Sequence, residues 1–587
     1  MCGIVGYIGK RRASPVLLDG LKKLEYRGYD SAGIAVLDQG ILRVVKRQGR
    51  VEELGAAHSL DGCIGIGHTR WATHGAPSAR NAHPHVFRGI AVVHNGIIEN
   101  AAALRALCLA RGETFLSDTD SEVVAHLIAH AFCGDLLSAV IRAARELTGS
   151  FALAVLREGG EEIVCARKKS PLIAAAGEGE SFVASDIPAI AASGRRAYIL
   201  QDGEFARLTA EDVQLYDENG ALIAREGVVL EEGELAPERG TYAHFMRKEI
   251  DEIPRAVQNS LFSADYFQKN GFSEVLCQTE YIDIVACGTA YHSGLCAKAA
   301  IEELLRIPVR VFLASEYRYT RPIVRGDALT IAVSQSGETA DTLAAAQLAK
   351  EKGCKVLALT NCARSSLTRM SDLLLVTGAG REVGVAATKS FQAQLAALYS
   401  LCAALANFRK KRVPSPKDLL PLCGQSIRES AAVAGWAPCF AAARNVFFLG
   451  RGADRCAALE GSLKFKEITY LPAEGYAAGE LKHGALALAD ETTPVVALAF
   501  DERLAEKTMN AVHEVYARGA PVFLVTCFPA LCGQKEVSSF VLLPACEPAF
   551  SPMLSVIPLQ LLAYETAVFL KNDPDKPRNL AKSVTVE

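Results

Sequence analysis

The sequence predicts an α+β N-terminal region of stacked sheets with helices outside, followed by two copies of an α/β doubly wound parallel-sheet domain. Three observations carry this. Over residues 1–225, strand-length apolar runs separated by glycine turns are broken by a few helical stretches. Beyond a Glu/Gly/Pro-rich stretch near residues 225–240, such runs alternate with long alanine-rich helices, as parallel βαβ units require. That second pattern then repeats. Gly353-Cys354-Lys355-Val356-Leu357-Ala358-Leu359-Thr360 matches Gly519-Ala520-Pro521-Val522-Phe523-Leu524-Val525-Thr526, and Asp283 to Thr289 resembles Val446 to Gly452.

In order, strands are expected at residues 33–37 and 89–94, and helices at 14–25 and 120–132, the second capped by Asp118 or Thr119. Strands resume at 151–156, 162–166 and 181–184. The last residues, 573–587, are polar and without periodicity. A chain of 587 residues is too long for one core.

With 50% hydrophobic residues, 22% charged and a net charge of −3, the chain offers no basic field for nucleic acid or anionic lipid. Its one basic run, Arg409-Lys410-Lys411-Arg412, reads as a solvated loop. Seventeen cysteines without paired spacing, and no secretory segment, point to reduced thiols and a cytoplasmic location. The most membrane-like stretch, 551–570, contains Pro552, Pro558 and Glu565 and reads as a buried helix.

Cys2 follows the initiator methionine. Methionine removal would put a thiol and a free α-amine on one residue, and that amine is partly free base near neutrality. A nucleophile with a built-in base follows the logic of N-terminal threonine enzymes. Gly67-His68-Thr69-Arg70-Trp71-Ala72-Thr73-His74-Gly75, Asn81-Ala82-His83-Pro84-His85 and His94-Asn95-Gly96 form polar, ligand-ready loops. Asn95 with the Gly96 N–H suits an oxyanion, and Arg70 suits a carboxylate. The five histidines between His68 and His94 match no metal-ligand spacing, and His126 and His130 lack the glutamate of a zinc-protease helix. No metal or cofactor is expected.

Val333-Ser334-Gln335-Ser336-Gly337-Glu338-Thr339 follows a strand and opens a helix, forming a phosphate cradle without lysine. Its counterpart in the repeat, Leu498-Ala499-Phe500-Asp501-Glu502, has lost every hydroxyl, so one copy is expected to bind phosphate and the other not. Glu460, Lys464 and Glu467 share a helical face, with either surface ion pairing or acid–base chemistry open to them.

Together, Met1 to Gly6, Tyr26 to Gly33, residues 68–75, Ser334 to Thr339 and Pro577 to Glu587 resemble the isomerizing glutamine–fructose-6-phosphate aminotransferase family nearly end to end. The resemblance implies a four-layer αββα glutaminase of the N-terminal-nucleophile (Ntn) hydrolase type over 1–225 and a linker at 226–245. Sugar isomerase (SIS) domains would follow at 246–425 and 426–570, with a tail at 571–587 closing the sugar site. Cys2 would attack glutamine, and Asn95 and Gly96 would hold the oxyanion. Arg27, Arg70, Trp71, Thr73, His74, His83 and Asp120 would bind glutamine, with Trp71 also gating an ammonia channel.

Cys287, Gly288, Thr289, Ser334, Gln335, Ser336, Thr339, Val385 and Ala581 would hold fructose 6-phosphate. Lys582 would form a Schiff base with its C2 ketone, Glu467 would move the proton between C1 and C2, and His483 would open the ring. Glu460 and Lys464 would support them. The implied reaction makes glucosamine 6-phosphate and glutamate, beginning amino-sugar synthesis, in a homodimer. Ala290 and Ala387 depart from the family's usual serines, which weakens phosphate binding or shifts the acceptor to another keto-sugar phosphate. A sugar-phosphate-sensing protein with dead catalysis would show damage at Cys2, Glu467 or Lys582, and all three are intact.

Overall fold

The computed structural model describes residues 2–190, 195–229 and 239–584. Met1, residues 230–238 of the expected linker and residues 585–587 of the tail lie outside the described residues. The chain divides into two compact units on either side of that linker stretch.

The N-terminal unit is built on two antiparallel sheets. In the eight-stranded sheet, Gly3–Gly9 lies between Glu180–Ala184 and Ile64–Arg70. In the seven-stranded sheet, Ile90–Ile98 pairs with Gly149–Arg157. Side chains alternate along a strand, and the cores follow that alternation. Ile4 and Ile8 meet Ala91, Val93, Ala152 and Ala154 of the other sheet. Val5 and Tyr7 turn instead toward Leu17, Leu18 and Leu21 of helix Ala13–Lys23. On the far side, Val92, Leu153 and Val155 pack against helices Glu122–Ala131 and Leu136–Glu146. Three stacked cores define four layers, αββα. Each fully buried aliphatic side chain contributes roughly 1.5–3 kcal/mol relative to exposure.

Two details differ from expectation. Neither Asp118 nor Thr119 caps the helix at Glu122–Ala131; its buried Glu122 carboxylate takes the N–H groups of Leu116 and Ser117 at 2.7 and 2.6 Å. A strand at Ile41–Gln48 also pairs with Ser31–Asp38, although it is charged and largely exposed.

The second unit contains two five-stranded parallel sheets. The first runs Val309–Leu313, Ile282–Ala286, Leu329–Val333, Lys355–Thr360, Leu373–Val376 across the sheet. The second runs Ala473–Ala477, Val446–Gly450, Val495–Ala499, Val522–Thr526, Ser539–Leu542. Both have strand order 2-1-3-4-5, so the sequence repeat is a repeat of one doubly wound topology. Its switch point falls between the first and third strands. That crevice is framed in the first copy by residues 287–289 and 334–339.

Helices Lys389–Phe408 and Pro552–Phe569 are covered within the chain, Phe391, Leu395, Leu554 and Leu559 sharing one core with Phe448 and Phe465. Pro552–Phe569 is long and apolar enough to cross a membrane, and 83% of it is buried inside the protein.

Candidate active sites

In the first unit, strand Gly3–Gly9 carries Cys2 to its site. A Cβ on Gly3 would lie 2.6 Å from Thr69 Oγ1, so glycine lets this strand start close against the end of Ile64–Arg70. Cys2 is thereby seated at Trp71, whose N–H points to Cys2 Sγ at 3.3 Å. Burial pushes the Cys2 thiol up, while the Trp71 N–H and the Arg70 and Arg27 guanidinium groups pull the other way. Asn95 Nδ2 and Arg27 Nε donate to the Cys2 carbonyl at 3.0 and 3.1 Å. Next to Asn95, Gly96 has φ +136°, and a Cβ there would meet the Ser150 carbonyl at 2.0 Å.

Behind Asn95 lies a group of buried imidazoles that sequence reasoning treated as loop residues. His68 Nε2 is 2.9 Å from the His94 carbonyl and 3.0 Å from Asn95 Oδ1. Both partners are acceptors, so Nε2 carries the hydrogen. His83 stacks on His68 at 4.2 Å, accepts the His94 N–H at 3.1 Å and meets His85 edge-on at 4.5 Å. Burial holds His68 down to about 3, holds His83 and His85 well below the usual imidazole value, and lowers His94. All four are neutral, stacked and engaged with protein; their nitrogens do not converge on an ion.

Arg70 is 3% exposed and holds the loop by its carbonyls, those of His74, Gly75 and Ala76. Asp30 anchors the same loop through the Ala72 N–H. Thr73 and His74 stay exposed, joined to each other at 3.4 Å. Trp71 meets Tyr29 edge-on. Asp120 accepts the Ile98 N–H at 2.8 Å at the end of the Asn95 strand. Elsewhere in this unit Glu113 bonds both His126 and His130, satisfying the pair through one carboxylate. Cys108, Glu113 and His126 are also, among the described residues, the grouping that could hold a metal ion. Those two imidazoles already occupy the carboxylate.

In the second unit the phosphate cradle stands at the switch point. Ser334 Oγ lies 2.9 Å from Thr339 Oγ1 and takes the Gly337 N–H; Ser336 Oγ takes that of Glu338. The Gln335 carbonyl is bound by the Asn361 N–H and the Thr360 hydroxyl. The loop then opens helix Ala340–Glu351. Val385 and Ala387 lie just before helix Lys389–Phe408, and Ala290 packs in the first copy's core. In the second copy the matching helix, Glu502–Tyr516, is capped by Asp501, whose carboxylate takes the Arg503 N–H at 2.9 Å.

Glu460, Lys464 and Glu467 are not a surface ion-pair ladder. Glu460 and Lys464 are fully buried on helix Ala453–Thr469, with Lys464 Nζ 2.5 Å from Glu467 and 3.6 Å from Glu460. Thr289 Oγ1 donates to Glu460 at 3.0 Å, and His292 Nδ1 lies 2.7 Å from its other oxygen. Burial raises Glu467, and Lys464 and Lys582 oppose that rise. Burial works to lower Lys464, but its two carboxylate neighbours win and raise it.

The tail turns back onto the second unit's own residues. Arg578 N–H reaches the Tyr470 hydroxyl, Asp575 takes the N–H groups of Phe245 and Met246, and its carbonyl takes that of Val385. Ala581 and Lys582 follow, and Lys582 Nζ bonds Glu382 and, at 2.8 Å, the Gly384 carbonyl. Burial alone would raise Glu382; Lys582, with Ser390 and Thr388 as donors, holds it at about 2. Neighbouring Glu249 goes the other way, to about 8, through burial and the Glu382 charge. Glu382, Glu249, Asp575 and His292 escaped the sequence reading. His292 had a signal, its i,i+3 spacing from Thr289 on one helix. His483 stands apart: it is exposed on Ala478–His483 and makes no hydrogen bond or ion pair among the described residues.

Comparison with known proteins finds relatives of both halves of the chain. The glutamine amidotransferase domain model matches residues 68–192, and the SIS domain model matches 276–404 and 440–570. A glutamine–fructose-6-phosphate aminotransferase (isomerizing) from Clostridium tetani is 46% identical over 611 residues, covering all of both chains. One from Symbiobacterium thermophilum is 47% identical over 614 residues, again covering both completely. The solved C-terminal domain of glucosamine-fructose-6-phosphate aminotransferase from Francisella tularensis is 35% identical, with a TM-score of 0.56 over 58% of this chain and 100% of its own. With these full-length relatives, the chain belongs to the isomerizing glutamine–fructose-6-phosphate aminotransferase family.

Proposed function

We propose that this enzyme converts glutamine and fructose 6-phosphate into glutamate and glucosamine 6-phosphate, the entry to amino-sugar synthesis. The observation that carries the sugar half is the tail: Lys582 turns back onto Glu382, close enough to Glu467 to favour its carboxylate. Cys2 Sγ attacks the glutamine amide carbon, with its α-amine as base; the C–N bond breaks, ammonia leaves, and water hydrolyses the thioester to glutamate. Asn95 and Gly96 face the oxyanion. Arg27, Arg70, Trp71, Thr73, His74, His83 and Asp120 surround the glutamine. Ammonia is protonated in water, so a closed route gated by Trp71 preserves the nucleophile.

On the sugar side, residues 287–289, 334–336, Thr339, Val385 and Ala581 seat fructose 6-phosphate. The Lys582 amine condenses with the C2 ketone with loss of water, and ammonia then displaces the lysine. Glu467 takes the C1 proton and returns it to C2. His483 opens the ring. Its exposure, with no hydrogen-bond partner among the described residues, supports a homodimer in which it acts across subunits. We assign residues 1–225 to the glutaminase domain, 226–245 to the linker, 246–425 and 426–570 to the two SIS domains and 571–587 to the closing tail. Seventeen free cysteines fit a reducing cytoplasm.

The test is formation of both products from both substrates by wild type and Cys2→Ala. Wild type should make both, and the variant neither from glutamine. Glutamate without amino sugar would point to another acceptor, and Ala290→Ser and Ala387→Ser would then be tried first. No glutamate at all would sink the Cys2 assignment.

A further inference from the structure

One buried ammonium, Lys464, is shared by two carboxylates, Glu460 and Glu467. How it divides between them decides how readily Glu467 stays ionised, because a carboxylate that loses its cation in a buried site takes up a proton. Glu460 is 0% exposed and has partners beyond its own helix: Thr289 Oγ1 at 3.0 Å and His292 Nδ1 at 2.7 Å. Both come from helix Gly288–Leu305 of the first doubly wound copy. Thr289 also borders the phosphate crevice, so a bound sugar phosphate competes for its hydroxyl. His292 is then the donor left to Glu460 from outside its own helix.

We propose that His292 is a positioning residue for the sugar-side base: by donating to Glu460 it leaves the Lys464 ammonium to Glu467 and keeps that carboxylate ready to accept a proton. This rests on the reading of Glu467 as the group that moves a proton between C1 and C2. The other charges around Glu467 are Lys582 from the C-terminal segment and, acting on Lys464, Glu382 from the loop before helix Lys389–Phe408. The Cys296 thiol also lies near Glu460. None of these supplies a hydrogen to Glu460; His292 does.

The experiment follows glucosamine 6-phosphate formation by the full chain against pH, for wild type, His292→Ala and His292→Asn, with glutamate release as the control. Asparagine keeps an N–H donor at the place of Nδ1; alanine does not. His292→Ala should move the acid limb of kcat up by about half to one pH unit, with a loss of roughly three- to tenfold on the acid side that recovers at alkaline pH. Its KM for fructose 6-phosphate should stay within about twofold, since ground-state contacts are untouched. His292→Asn should follow wild type. Should the alanine variant melt below the assay temperature, His292→Leu, which keeps the bulk without the donor, carries the same comparison. An unshifted acid limb, or an equal loss at every pH in both variants, would overturn the proposal. A Glu467→Gln variant that still makes amino sugar at the wild-type rate would overturn the reading of Glu467 itself, a different result from either.

Discussion

His68 Nε2 lies 3.0 Å from Asn95 Oδ1, and through that bond a neutral, buried imidazole fixes which end of the Asn95 amide faces Cys2. Removing an oxyanion donor costs about 10²–10³ in kcat, and Asn95→Ala should lose that much glutamate release. His68→Ala should lose about tenfold, since an unsupported amide can turn its oxygen toward the site. Steady-state glutaminase kinetics test this. A His68→Ala enzyme with wild-type kcat would show that the amide needs no support.

The same imidazoles make the glutaminase unit acid-sensitive. His68, His83, His85 and His94 have depressed folded-state values, whereas in the unfolded chain they protonate near 6.5. Below that value the unfolded state binds more protons, so stability falls as pH falls and is fully present only above it. Each imidazole that stays neutral in the fold costs up to about 1.4 kcal/mol per pH unit below 6.5. Thermal inactivation of glutamine hydrolysis should therefore quicken steeply between neutral and mildly acid pH. A flat profile there would refute it.

Glu382→Gln should separate the two half-reactions. Removing one partner of a buried ion pair costs about 3–5 kcal/mol, because the other charge is left uncompensated. The variant should release glutamate normally, make little glucosamine 6-phosphate, and expose the tail near Lys582 to limited proteolysis. An intact tail with full synthase activity would contradict the pairing as a support of the sugar site.

Asp501→Ala should affect only the scaffold. Losing an N-cap carboxylate costs about 1 kcal/mol, visible as a small fall in melting temperature. The KM for fructose 6-phosphate should not move. A change in KM would mean that the second copy takes part in binding after all.

Much of this was legible because it is periodic. Gly3–Gly9 alternates strictly between two cores, and the parallel strands at Ile282–Ala286 and Val446–Gly450 are apolar but for Asp283. Ile41–Gln48 was hidden because its apolar residues, Ile41, Leu42, Val44 and Val45, come in adjacent pairs among charges and do not alternate. The helix starts at Glu122 without a side-chain cap, so the polar residues before it marked the turn and not the cap; Glu122 reaches back to fasten that turn. Within the sites, Cys2, Asn95 and Lys582 stand in motifs that resemblance could identify. Glu382 meets Lys582 from 200 residues away, and nothing local marks it. The imidazole stack was read as loop chemistry because burial is set by the packed sheets, not by the loop's own composition.

The Asp501 cap has a consequence for the history of the fold. A helix start already bound by its own carboxylate offers a poorer place to a second anion, which leaves that copy's other surfaces free to specialise. Helix Ala453–Thr469, which occupies in the second copy the position that Gly288–Leu305 has in the first, now carries Glu460, Lys464 and Glu467. In the proposed reaction one twin grips and the other reacts. Returning the second twin to its ancestral task would require both evicting Asp501 and rebuilding a ring of hydroxyls, steps that help only in combination. The division of labour is therefore a ratchet, held jointly by a capping carboxylate and by the missing hydroxyls.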